Sequence, residues 1–183
     1  TAWMGLPDNH YPTEEEDWEG NLVLPRELRI VNDKLYQLPV QQIRELRQEK
    51  VDPTGRLPWV AEVQVKHTGG NAQLTLFSKS DGTGGLQLSY DAARKTVTID
   101  RSQMELRFNE AIGEVLEVPL EEDLTDIALY LDRSSVEIFF NKGEATFTTH
   151  LYPTEQESSY QASPNLDLEI WMLRSSVTDD FVV

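Results

Sequence analysis

Residues 1–183 predict an all-β protein: a two-sheet antiparallel β-sandwich, preceded by a short group of separate strands and a small linker helix. Three observations predict it. Apolar residues recur with a period of two through most of the chain from Trp59 onward, the spacing of strands buried on one face. Clusters of Asp, Asn and Gly break these runs at short intervals and supply residues that tolerate positive φ, so neighbouring strands can reverse and pair. No helical period intervenes between the runs, and two packed antiparallel sheets are then the economical way to bury one face of each.

In chain order, Ala2 to Met4 reads as a strand, Glu14 to Asp17 as an acidic loop, and Leu22 to Leu24 and Leu28 to Val31 as further strands. Asn32-Asp33 turns the chain into Leu35 to Leu38. After Pro39, the residues Val40, Ile43 and Leu46 repeat at three and carry the apolar stripe of a short helix over Val40 to Arg47. Asp52-Pro53-Thr54-Gly55 closes this linker as a turn. A boundary is expected between residues 1–50 and 51–183. A segment of 50 residues lies below the roughly 70 to 80 at which a lone core becomes dependable, so it must dock on something larger or fray, and its strand edges are an aggregation risk.

The sandwich strands are expected from about residue 57. Ala61, Val63 and Val65 alternate with Glu62, Gln64 and Lys66, and Leu86, Leu88 and Tyr90 alternate with Gln87 and Ser89. The pattern returns in Val97 and Ile99, in Ile127, Leu129 and Leu131, in Val136, Ile138 and Phe140, and in Leu166, Leu168, Ile170 and Met172. Asp81-Gly82-Thr83-Gly84-Gly85 and Asn141-Lys142-Gly143-Glu144 are the turns of two hairpins.

Composition narrows the function classes. With 16 basic and 32 acidic side chains the net charge is −16, which repels nucleic acid and anionic lipid; neither is an expected partner. No cysteine occurs, so disulfides, thiolate metal sites and cysteine nucleophiles are excluded, and a cytoplasmic location is compatible. No apolar run approaches the roughly 18 residues that span a bilayer. The first residues, Thr1-Ala2-Trp3-Met4-Gly5, read as the inside of an element, so the numbering is expected to begin part-way through a longer protein.

Individual side chains suggest little chemistry. Glu14-Glu15-Glu16-Asp17 and Glu121-Glu122-Asp123 read as solvated charge, not as acid/base pairs or metal sites. Asp100, Asp132 and Glu137 sit in or beside strands, where Arg101 and Arg133 are the expected ion-pair partners. His10, His67 and His150 lack the close spacing of a zinc site and read as surface or loop residues. Ser134 and Ser135 lack a nucleophile elbow. Gly82 to Gly85 lack the lysine and helix of a phosphate loop. No cofactor, metal or catalytic residue is assigned.

The ordered motifs are more informative. Ala2-Trp3-Met4-Gly5-Leu6-Pro7-Asp8, Tyr11-Pro12-Thr13, Trp18-Glu19-Gly20-Asn21-Leu22 and Leu24-Pro25-Arg26-Glu27-Leu28 are followed by Thr98-Ile99-Asp100-Arg101-Ser102, Asp132-Arg133-Ser134-Ser135-Val136-Glu137-Ile138-Phe139 and Tyr152-Pro153. Their order and spacing resemble the C-terminal part of glycoside hydrolase family 32, the invertase and sucrose-6-phosphate hydrolase family, and Leu6-Pro7-Asp8 looks most like its bacterial sucrose-6-phosphate hydrolases.

The resemblance implies a five-bladed β-propeller carrying the active site, of which residues 1–50 are the close, followed by a lectin-like sandwich packed on it. It implies retaining hydrolysis of a fructosyl bond, in which one carboxylate attacks the anomeric carbon and a second carboxylic acid protonates the leaving oxygen. The family's usual homes for these groups, an Asn-Asp-Pro-Asn, an Arg-Asp-Pro and a Glu-Cys segment, do not occur in this sequence. Trp3, and less strongly Trp18, are the candidates for contact with a small-molecule sugar. Phe139, Phe147, Tyr152, Tyr160 and Trp171 raise the alternative of a freestanding carbohydrate-binding module, and a third role is architectural: bracing the propeller or forming a homodimer surface. A phosphorylated sugar approaching a body of charge −16 is repelled, so the intact enzyme is expected to focus positive charge locally at its pocket, with those basic groups mostly outside residues 1–183.

Overall fold

Two antiparallel sheets face each other across the core of the computed structural model, which describes residues 2–6, 9–52, 56–108 and 113–176. One sheet has the order β10-β9-β8-β7-β14, built from β7 (Ala72–Ser78), β8 (Leu86–Asp91), β9 (Thr96–Asp100), β10 (Val115–Pro119) and β14 (Ser159–Ala162). The second has the order β13-β12-β11-β6-β15-β5. Its strands are β5 (Arg47–Lys50), β6 (Val60–His67), β11 (Asp126–Asp132), β12 (Ser135–Phe140), β13 (Ala145–His150) and β15 (Leu166–Leu173). Every pairing is antiparallel.

The alternation in sequence becomes the two inner faces. Leu74, Leu76, Leu86, Leu88, Val97 and Ile99 from one sheet meet Ala61, Val63, Val65, Ile127, Leu129, Leu131, Val136, Ile138, Phe140 and Ile170 from the other. Each large aliphatic or phenyl group buried this way contributes roughly 1.5 to 3 kcal/mol, which makes this layer the main source of stability. Both expected hairpins close as read. Gly82, Gly84 and Gly85 take positive φ between β7 and β8, and Asn141, Lys142 and Gly143 do so between β12 and β13.

Ahead of the sandwich, β1 (Trp3–Met4) pairs with β2 (Asn21–Leu22), and β3 (Arg26–Val31) forms a hairpin with β4 (Lys34–Pro39) through Asn32 and Asp33, both at positive φ. The helix expected over Val40 to Arg47 is a six-residue 3-10 segment, Gln41–Leu46. The threefold spacing of Val40, Ile43 and Leu46 matches the three residues per turn of that helix better than 3.6. Arg47–Lys50 then pairs with β15 at the edge of the second sheet. Of the expected turn at Asp52 to Gly55, residues 53–55 lie outside the described residues, as do Pro7 and Asp8.

The outer face of the second sheet departs from simple alternation. Glu62, Glu137 and Phe139 point away from the core yet are buried, Glu62 completely at 0 % exposure. The cover comes from the β3–β4 hairpin, the 3-10 segment and Arg47. A polar residue on a strand's outer side is solvated only when nothing lies over it, and here the N-terminal elements do.

Candidate functional site

The N-terminal strands are fixed to the sandwich by one ionic network. Arg26 Nη2 donates to Glu137 Oε2 at 2.6 Å and to Thr148 Oγ1 at 2.9 Å, while the Leu24 backbone N–H donates to Glu137 Oε1 at 2.6 Å. The guanidinium carbon lies 5.0 Å from the centre of the Phe139 ring. Glu137 therefore does not pair with Arg101 or Arg133, the partners the sequence suggested. Its partner stands 111 residues away in the chain. Arg101 donates to the carbonyls of Phe108 and Gly113, and the Asp100 carboxylate accepts from the Ser102 N–H.

A second tie runs through His150 at the end of β13. Its ring nitrogens lie 3.1 Å from the Ser134 carbonyl oxygen and 3.0 Å from that of Met4. The ring is buried among Tyr11, Phe108 and Tyr152, with centroids 5.0, 6.3 and 6.1 Å away. The expectation of a surface or loop histidine is thus wrong for His150. Its place at a strand end hides the fact that β1 and the 101–108 loop close over it. Burial within the same cluster pushes the Tyr152 phenol up to about 12.

Between these ties lies an open hollow of about 640 Å³. Trp3, Met4 and Leu6 form one side, Phe147, Thr148 and His150 the other, with Arg26, Arg101, Phe108 and Leu116 between them. Trp3 is 55 % exposed, and its indole packs closely against two glycines. A methyl group at Gly5 would come within 2.6 Å of Trp3 Cζ2, and one at Gly20 within 2.5 Å of Trp3 Nε1; Gly20 also has φ of +68°. The second sugar-contact candidate stands apart. Trp18 is 40 % exposed, donates from its indole N–H to Glu16 Oε2 at 3.2 Å, and does not line the hollow.

Among the described residues, no Asp or Glu lines this hollow. Its cations are already engaged, Arg26 by Glu137 and Arg101 by two carbonyls. An apolar wall with satisfied cations can seat a ring or a neighbouring segment, but it offers no proton donor and nucleophile pair. No group of three or more His, Cys, Asp or Glu side chains among the described residues is arranged to hold a metal ion.

The fold and the docked N-terminal strands correspond to those of known proteins. The family model described as glycosyl hydrolases family 32 C terminal matches residues 32–171, and the chain belongs to glycoside hydrolase family 32. It is 33 % identical over 161 residues to a sucrose-6-phosphate hydrolase of Streptococcus mutans, covering 86 % of this chain and 33 % of that protein. It is 32 % identical over 188 residues to a raffinose invertase of Escherichia coli, covering 94 % of this chain and 39 % of that one. Among solved structures, a sucrose-6-phosphate hydrolase from Lactobacillus gasseri superposes with a TM-score of 0.82 at 25 % identity, over 94 % of this chain and 38 % of that one. The chain spans about a third of the length of the curated relatives it matches.

Proposed function

We propose that these residues are the C-terminal part of an enzyme that hydrolyses the fructosyl bond of sucrose 6-phosphate, or of sucrose, with retention, and that they carry none of its catalytic carboxylates. The relatives named as sucrose-6-phosphate hydrolases and an invertase support the substrate class. The observation that carries the reading is the hollow beside Trp3. It has the walls of a docking or sugar-contact surface and, among the described residues, no carboxylate. In this reading residues 1–50 close the catalytic β-propeller and 51–183 are the sandwich that braces it, with Arg47–Lys50 already part of the sandwich edge. Trp3 faces the sugar, while Trp18 stands outside the hollow. The enzyme acts in the cytoplasm, and the sandwich's outer surface is available to a second copy.

The test is an assay of fructose release from sucrose and from sucrose 6-phosphate by the 183-residue chain, run beside a longer protein that contains it. The chain is expected to release none and the longer protein to release fructose. Turnover that scales with the concentration of the short chain would overturn the proposal.

A further inference from the structure

The buried His150 ring faces two acceptors, and a neutral imidazole can answer only one. Nδ1 stands 3.1 Å from the Ser134 carbonyl oxygen and Nε2 3.0 Å from that of Met4. Neither carbonyl can donate and the neutral ring has a single N–H, so in either tautomer the bare nitrogen sets its lone pair against a carbonyl oxygen at hydrogen-bond length. With both protons in place the ring donates to both.

The two carbonyls are not equally free to adjust. Ser134 lies in the turn between β11 and β12, and its carbonyl also accepts the Leu151 N–H at 3.0 Å, so the sandwich's own backbone fixes that end. Met4 lies on β1, a two-residue strand paired with the equally short β2, and such a pair is marginal on its own. The Met4 end therefore gives first, and Met4 is the neighbour of Trp3.

Charged and titratable groups reach the ring from each element packed on it. Tyr11, from the N-terminal segment, and Tyr152, from the segment after β13, lie at 5.0 and 6.1 Å between centroids, and an aromatic face close to a cation is attractive. Glu14 accepts the Tyr11 N–H at 2.8 Å and brings a carboxylate to the same cluster. Arg101, from the loop after β9, and Arg26, from β3, line the same hollow and oppose a further cation, as does burial. Arg101 is answered by the carbonyls of Phe108 and Gly113, and Arg26 by Glu137 of β12. Two charge-assisted hydrogen bonds stand on the other side of the balance.

We infer that His150 is a proton-dependent clasp that positions Trp3: with both protons it holds the Met4 carbonyl and fixes β1 on the sandwich, and on losing one it lets that strand shift. Docking of β1 takes up a proton, so it is strongest at low pH and weakens as pH rises through the histidine range, about pH 5 to 8. The clasp concerns where Trp3 stands, not what Trp3 meets, so it stands or falls separately from the catalytic reading.

The 183-residue chain, labelled with 15N, is followed from pH 5 to 8.5 through the His150 ring nitrogens, the Trp3 indole N–H and the Gly5 amide. The Trp3 and Gly5 signals are expected to shift in one titration that coincides with that of the His150 ring. His150→Arg, which keeps its donors at every pH, holds both signals near their low-pH positions. His150→Gln, which cannot gain a proton, abolishes their pH dependence. His10→Gln and His67→Gln keep the titration; His10 pairs with Glu14 and so is the other histidine able to act on Tyr11. The inference fails if Trp3 and Gly5 in the parent chain stay in place while His150 titrates, a result that needs no variant to fold. It fails equally if their shift survives His150→Gln or is lost in His10→Gln.

Discussion

Arg26 and Glu137 show how a motif can be specific and still be structural. Both side chains are largely shielded from water, at 15 % and 6 % exposure, and their partners belong to different ends of the chain. Removing one member of such a pair leaves the other buried without its counter-charge, which costs about 3 kcal/mol. Arg26→Met is expected to lower the unfolding free energy by that amount, and the urea midpoint by that amount divided by m, with an unchanged m-value if the denatured state is unaffected. A midpoint within experimental error of the parent would show that the pair does not hold the two parts together. Gly20 makes a sharper residue-scale case. Its positive φ and the Trp3 indole above it leave no room for a methyl group, so Gly20→Ala is expected to displace Trp3 and to cost about 1 to 2 kcal/mol in backbone strain alone. The near-ultraviolet circular dichroism of the tryptophans reports the displacement; an unaltered spectrum would mean the ring does not rest there.

Among the elements, the β12–β13 turn couples the sandwich to the N-terminal hairpin. Gly143 sits at φ of +90° against the Gln37 backbone, and Glu144 gathers the N–H groups of Glu121 and Glu122 and the Asn141 amide. Partial burial works against ionisation of Glu144, but these hydrogen bonds outweigh it and hold the carboxyl below its ordinary value of 4.5. A depressed carboxyl contributes stability that is fully present above the unfolded-state pKa and is lost as pH falls through the folded-state value. Glu144→Gln should therefore lower stability at neutral pH and flatten the loss on acidification below about pH 4.5, as followed by thermal melts across pH. Parallel curves for the two proteins would contradict this. The element scale is also where sequence was most and least legible. Strands with one buried and one wet face, such as Val60–His67 and Leu86–Asp91, declared themselves by alternation. Val115–Pro119 did not, because an edge strand that exposes Val115 and Leu116 carries little amphipathic contrast. Arg47–Lys50 is all polar or charged, and only its pairing with β15 makes it a strand. The site was partly legible for the same reason: Trp3 stood in a motif, but the burial of Glu137, Glu62 and His150 depends on what lies over them, and one strand's pattern does not contain that.

For the molecule as a whole, two opposed features decide how the isolated chain behaves. Leu28 and Ile30, on one face of β3, are 63 % and 78 % exposed, and Leu35, directly opposite Ile30 on β4, lies open beside them. An apolar face of this kind on a two-stranded hairpin favours covering by another surface. Against this stands a net charge of −16, whose repulsion between copies reaches only about 8 to 10 Å at physiological salt. The balance is therefore salt-dependent. The chain should be monomeric at low ionic strength and should associate as salt rises and the repulsion is screened, the opposite of what salt does to a contact held by ion pairs. Ile30 and Leu35 are directly opposite in the β3–β4 register, so Ile30→Glu with Leu35→Lys removes apolar surface, supplies a cross-strand pair and leaves the net charge unchanged. Light scattering across a salt series should show association in the parent chain and its loss in the double variant, with the melting temperature altered little because neither side chain is buried. Equal association in both proteins would place the sticky surface elsewhere, and association that weakens with salt would mean that charge, not the uncovered hairpin, brings copies together.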